Sequence, residues 1–145
     1  MENFIKYTSE AEAKAAISAA LLREDWQDFF CKDKHGEIIQ YFFDEESVAK
    51  MARFTPIGMF DTEEDCQRLL KSFIAEKIDS VARFVARRGP LSSITAVYEN
   101  AVGAVYAVNE ENNLIKMPCY RINAILSRNR SAELGFCISA FSPIV

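Results

Sequence analysis

The chain changes its periodicity at Gly89-Pro90. Before that dipeptide, apolar residues recur at the three-to-four spacing of helices; after it, short apolar runs alternate with polar turns. A helical pattern followed by a strand pattern, without βαβ alternation, predicts an α+β protein. The expected architecture is a set of N-terminal helices packed on a C-terminal antiparallel meander sheet of four to five strands. At 145 residues the chain is expected to be one domain, residues 1–145, with 1–90 mainly helical and 91–145 mainly β.

The helical half has readable punctuation. Ser9 followed by Glu12 is a capping pattern, and Ala13, Ala16, Ile17, Ala20 and Leu21 then define a helix over about Ser9–Arg23. Residues 24–31 continue as a short helix, and Lys32–Gly36 is a turn. Glu37–Phe43 is apolar and aromatic and reads as a strand. Glu45–Phe54 reads as a short helix, which Thr55-Pro56 ends. The strongest helix spans Asp61–Arg88, capped by Asp61 or Thr62, and is long enough to contain a kink. Five strands are expected after Pro90: Ile94–Tyr98, Val102–Val108, Leu114–Met117, Arg121–Leu126 and Phe136–Phe141.

Bulk properties narrow the function classes. No apolar run reaches the roughly 20 residues of a membrane span, and Met-Glu-Asn-Phe-Ile-Lys-Tyr at the N-terminus lacks a leader pattern. No membrane partner is expected, and the expected location is cytoplasmic. The cysteines Cys31, Cys66, Cys119 and Cys137 form no C-x-x-C pair, and His35 is the only histidine, so no metal and no cofactor are expected. Cys66 and Cys137 fall at apolar periodic positions and read as buried thiols of a reducing compartment. Residues 1–90 hold 13 basic and 17 acidic residues, while 91–145 hold four of each. That balance lacks the basic footprint of a general nucleic-acid binder.

Several strings share a family resemblance. From Ile57 onward come Phe60-Asp61 opening a long helix, then Val102-Gly103-Ala104-Val105, then the Arg121–Arg128 strand, then Gly135–Phe141. In this order they resemble the ribonuclease A-like toxin domain carried by bacterial contact-dependent inhibition proteins. The likeness covers about 90 residues by these strings, and about 35–145 once a histidine is included: His35 precedes Phe60 by 25 positions, where the family carries its catalytic histidine. Ser139 stands for the family's threonine. Phe141 stands for its terminal aromatic and has no hydroxyl. Lys50 or Arg53 would supply the family's basic residue, neither at the family's spacing.

The resemblance implies a metal-independent RNA endonuclease acting by internal transesterification. Such a reaction needs a base for the 2′-hydroxyl, an acid for the leaving oxygen and a cation for the phosphorane. The expected catalytic residues are His35, Lys50, Arg53 and Ser139, and Tyr120, Arg121 and Arg128 are expected to contact substrate. Tyr120 or Tyr41 would be the second acid. Each position has an equally simple structural explanation: His35 as a turn residue before Gly36, Ser139 as a strand hydroxyl, the arginines as a solvated edge. A second reading therefore stands beside the first, a non-catalytic acidic inhibitor of the immunity or anti-defence type that masks a basic protein partner. The partner is RNA in one case and a basic protein in the other.

Overall fold

The computed structural model describes residues 6–87 and 89–145. Residues 1–5 and Arg88, used above for the leader and the helix end, lie outside them. The helices are α1 (Glu10–Leu21), α2 (Trp26–Phe30), α3 (Glu45–Ala52), α4 (Glu63–Glu76) and α5 (Ile78–Ala86). The strands are β1 (Ile57–Met59), β2 (Leu91–Val97), β3 (Gly103–Val108), β4 (Leu114–Cys119), β5 (Arg121–Arg128) and β6 (Phe136–Ile144). The α+β class, with most helices ahead of most strands, is the one the periodicity predicts.

Side-chain caps account for the starts of α1, α3 and α4. The Ser9 hydroxyl accepts the Glu12 N–H at 3.2 Å, the Asp44 carboxylate accepts the Ser47 N–H at 2.8 Å, and the Thr62 hydroxyl accepts the Asp65 N–H at 3.0 Å. Of the two candidate caps for α4, Thr62 therefore makes this bond. The expected long helix breaks at Lys77, whose backbone (φ −102°, ψ 22°) leaves helical geometry before α5 begins.

The strands form two three-stranded antiparallel sheets, ordered β1-β3-β4 and β2-β5-β6, where a single meander was expected. One residue, Tyr120, links β4 to β5, and a hairpin needs at least about two loop residues. The chain must therefore leave one sheet for the other at that point. β1 is not among the five expected strands. It is a strand because it pairs with β3, Ile57 to Tyr106 and Met59 to Ala104. The expected strand over Glu37–Phe43 makes only an isolated bridge, Lys32 to Ile38. Its aromatic content serves packing instead, with Tyr41 buried.

The chain divides into two compact units. The first takes residues up to Ile39, Leu70–Ile94 and Ala124–Ala140. There α1 packs on α5 through Ala13, Ile17, Val81 and Val85, all buried. Lys14 pairs with Asp79 at 2.9 Å across these helices. Phe136, fully buried, meets Phe30 and Phe84 edge-on at 6.0 and 6.3 Å, an arrangement aromatic rings favour. The second unit takes Gln40–Leu69, Thr95–Asn123 and Phe141–Val145. It contains the whole β1-β3-β4 sheet, α3 packed on β1 and β3, and a core that includes Val48, Phe60, Val105 and Phe141.

Candidate functional site

The sequence candidates divide between the units: His35, Arg128 and Ser139 belong to the first, and Lys50, Arg53, Tyr120 and Arg121 to the second.

His35 is exposed on a turn that Asp33 organises. One Asp33 carboxylate oxygen accepts the N–H of His35 at 2.8 Å and that of Glu37 at 3.0 Å. Gly36 takes the left-handed conformation (φ 78°) that closes the turn. These N–H bonds, chiefly that of Glu37, hold the Asp33 carboxyl below its ordinary value. Asn129 donates from its side-chain amide to the Lys32 carbonyl at 3.0 Å, tying the turn to the β5–β6 connection. The histidine is thus exposed on a braced loop.

Ser139 is exposed on β6. It donates to the Ile125 carbonyl at 3.2 Å and accepts from the Ser127 hydroxyl at 2.8 Å. Its one proton is held by the neighbouring strand. Arg128 closes the buried alternation of β5 and is 8% exposed. Its Nε donates to the Gly89 carbonyl at 2.8 Å and its Nη1 to Val85 at 3.0 Å, while Nη2 reaches the carbonyls of Phe84 and Arg87. The guanidinium serves carbonyls at and just beyond the end of α5, of which, among the described residues, only that of Phe84 also accepts a backbone N–H, from Arg87. A phosphate would have to displace them.

In the second unit, Lys50 is exposed and pairs with Glu46 one helical turn earlier, at 3.6 Å. Arg53 is exposed at the C-cap of α3. Tyr120 is 48% exposed, and its carbonyl accepts the Tyr98 N–H at 2.7 Å. The Arg121 guanidinium donates to the Val145 carbonyl. A polar pair the sequence reading missed lies on these strands: the Thr95 hydroxyl donates to the Asn123 side-chain oxygen at 3.0 Å. Alternation along β5 places Asn123 on the same face as Arg121.

Two clefts open on the second unit, and Asp61 lines both. One, about 300 Å³, carries Asp61, Asp65 and Glu99 against a single cation, Arg68. The other, about 340 Å³, presents Phe42, Phe43 and Tyr106, with Glu45, Asp61 and Lys116 as its charged groups. Buried Val48, Met59 and Phe60 complete its lining. Carboxylates outnumber cations in both. Asp61 and Glu45 looked like helix-start acids in the sequence. Only the fold shows that they border clefts.

Cysteine chemistry has little to work with. All four cysteines are buried and outside any disulfide, and burial pushes the Cys119 and Cys137 thiols above their ordinary value, away from the reactive thiolate. Among the described residues, no group of three or more His, Cys, Asp or Glu is placed to hold a metal ion, and no helix is long and apolar enough to cross a membrane.

No family model matches the chain, and no curated protein matches it. Among solved structures it is similar to a chain in the crystal structure of a CdiA-CT/CdiI complex from Y. kristensenii 33638. The TM-score is 0.58 at 11% sequence identity, over 72% of this chain and 95% of that one. At that identity the likeness is one of fold.

Proposed function

We propose that this chain is one member of a contact-dependent inhibition toxin/immunity pair and works with a protein partner. The observation that carries the reading is the fold likeness to nearly all of one chain from a CdiA-CT/CdiI complex. The toxin-family strings at Phe60-Asp61, Val102–Val105 and Gly135–Phe141 support the same assignment separately.

Within such a pair the chain reads first as an RNase A-like, metal-independent endoribonuclease of the toxin type, or as a descendant of one. His35 would carry the proton transfer, as the exposed imidazole on the turn that Asp33 braces. Lys50 or Arg53 would supply the cation, and Ser139 would hold a phosphate oxygen. Arg128 makes the poorest substrate contact of the set, because its donors already serve α5. The test is incubation of the purified chain with total RNA and with tRNA in EDTA, beside His35→Ala. Cleavage lost in the variant supports the reading, and cleavage that persists in a clean His35→Ala preparation overturns it.

A specific observation favours a second reading, the non-catalytic acidic inhibitor. The two clefts described above are each lined by more carboxylates than cations, and the chain carries a net charge of −4. An acidic surface speeds encounter with a basic protein and repels a polyanion. This reading expects no RNA cleavage and the co-purification of a basic protein.

A further inference from the structure

We infer that the aromatic cleft of the second unit is a docking pocket for a cationic side chain, an arginine or a lysine, carried on a segment of a basic protein partner. The inference rests on the partner reading above and specifies its chemistry. The cleft combines the three features that hold a cation. Its aromatic lining comes from Phe42, Phe43 and Tyr106. Its carboxylates are Glu45 and Asp61, both exposed. Its volume, about 340 Å³, falls within the range of side-chain and small-ligand pockets.

A cation of the chain itself already lies at this ring. The Lys116 ammonium lies 5.7 Å from the centre of the Tyr106 ring, within the distance at which a cation is drawn to an aromatic face. Lys116 reaches the ring from β4, paired with Tyr106 across the sheet. It is exposed, so a partner cation can take its place while Lys116 turns to solvent. Guanidinium suits the site better than ammonium, because a planar, weakly hydrated cation stacks on rings and forks onto carboxylates together.

The charges exclude the other occupants. A nucleic-acid phosphate or an acidic peptide would face Glu45 and Asp61. A second copy of the chain would bring one net charge of −4 against another. An arginine-bearing segment meets two carboxylates and replaces one cation by another.

The test uses the full chain and fluorescence anisotropy with two short labelled peptides. One alternates arginine and valine; the other replaces arginine by citrulline, which keeps the shape without the charge. The arginine peptide is expected to bind, and the citrulline peptide to bind at least about fivefold more weakly. Glu45→Gln and Asp61→Asn should each weaken the arginine peptide by up to about fivefold. Lys116→Met should tighten it, since the competing cation is gone. Glu24→Gln, in the other unit, should leave it unchanged. Circular dichroism and urea melts confirm that each variant folds.

Equal binding of the two peptides overturns the proposal. So do an unaltered affinity in the Glu45→Gln/Asp61→Asn double variant, displacement of the peptide by a short RNA, and absence of binding at millimolar peptide. The partner reading is judged separately by co-purification with the unaltered chain. A partner retained equally by the double variant sinks the pocket and leaves the pair standing. Failure to find any partner sinks the pair, while the titrations still decide the pocket.

Discussion

The guanidinium carbon of Arg128 lies 4.2 Å from the centre of the Phe84 ring, stacked on the residue whose carbonyl it also bonds. Arg128 thereby joins the end of β5 to the last turn of α5. Removing it strands the carbonyls of Val85, Arg87 and Gly89 in a partly buried site and leaves that of Phe84 with the Arg87 N–H alone. Arg128→Met is expected to cost about 3 kcal/mol of unfolding free energy. Arg128→Lys should recover only part of that, because an ammonium cannot fork across these acceptors or stack as the guanidinium does. Urea denaturation reads both. If Arg128→Lys falls within about 0.5 kcal/mol of the parent, the residue is not the clamp its hydrogen bonds describe.

Asp33 makes the His35 turn sensitive to acid. Its carboxylate accepts the N–H groups of Glu37 and His35, which holds its folded pKa below the ordinary 3.8. A depressed carboxyl contributes stability in full above its unfolded value and loses it as pH falls through the lower, folded value. The turn should therefore stay ordered through the mild acid range and loosen only below it. An NMR titration of the Asp33 carboxyl should give a midpoint below 3.8, with the His35 and Glu37 amides shifting in step. A midpoint at or above about 4 would contradict the bonded turn.

These two residues mark what the sequence could and could not reveal. The Asp33 turn was legible because its signals are local: a charged loop, Gly36 after His35, and apolar runs on either side. The cap at Ser9 is local in the same way, whereas the helix break was legible only from the helix's length and not at its place, Lys77. Arg128 reads from the sequence as a substrate contact or a solvated edge, and not as a clamp, because its partners lie some 40 positions earlier, at the end of a helix that no spacing rule connects to β5. Sheet partnership failed for the same reason. β2 pairs with β5, and turn lengths carry no record of so distant a neighbour. β1, only three residues long, exists through its pairing with β3. Glu37–Phe43 had the composition of a strand and no ladder to join. The acids at the clefts, Glu45 and Asp61, were hidden behind a sufficient explanation, since helix starts attract carboxylates anyway.

By the sequence resemblance alone, Phe141 would stand for the toxin family's terminal aromatic. Here the ring stacks on Phe60 at 5.2 Å and meets Tyr41 edge-on at 6.2 Å, and the residue is 3% exposed. Phe141→Ala should cost about 3–5 kcal/mol. Phe141→Tyr tests whether this position can present a catalytic hydroxyl. Burying the added oxygen should cost about 1–3 kcal/mol, and RNA cleavage should not rise. A tyrosine variant as stable as the parent and more active on RNA would show that the ring's outer edge reaches a working site.

Two glycines set how closely the backbones of the second unit approach. Gly58 pairs with Val105, and a Cβ there would overlap the Pro143 carbonyl oxygen and come 2.8 Å from its carbon. Gly103 pairs with Cys119, and a Cβ there would overlap the Met59 carbonyl oxygen and lie 2.6 Å from Cγ of Pro143. Pro143 is fully buried, so neither backbone has space to retreat. Gly36 is the contrast: its φ is left-handed, but a Cβ would meet nothing within 4 Å. Gly58→Ala should cost about 3 kcal/mol or more, because backbone must move to admit the methyl. Gly36→Ala should cost only about 1 kcal/mol, the conformational penalty alone. Gly103→Ala should fall between them, since part of its obstruction is a proline ring carbon that can pucker aside. Urea melts of the three variants give the ranking directly. Equal costs at Gly58 and Gly36 would mean that conformation, not close approach, is what these glycines supply.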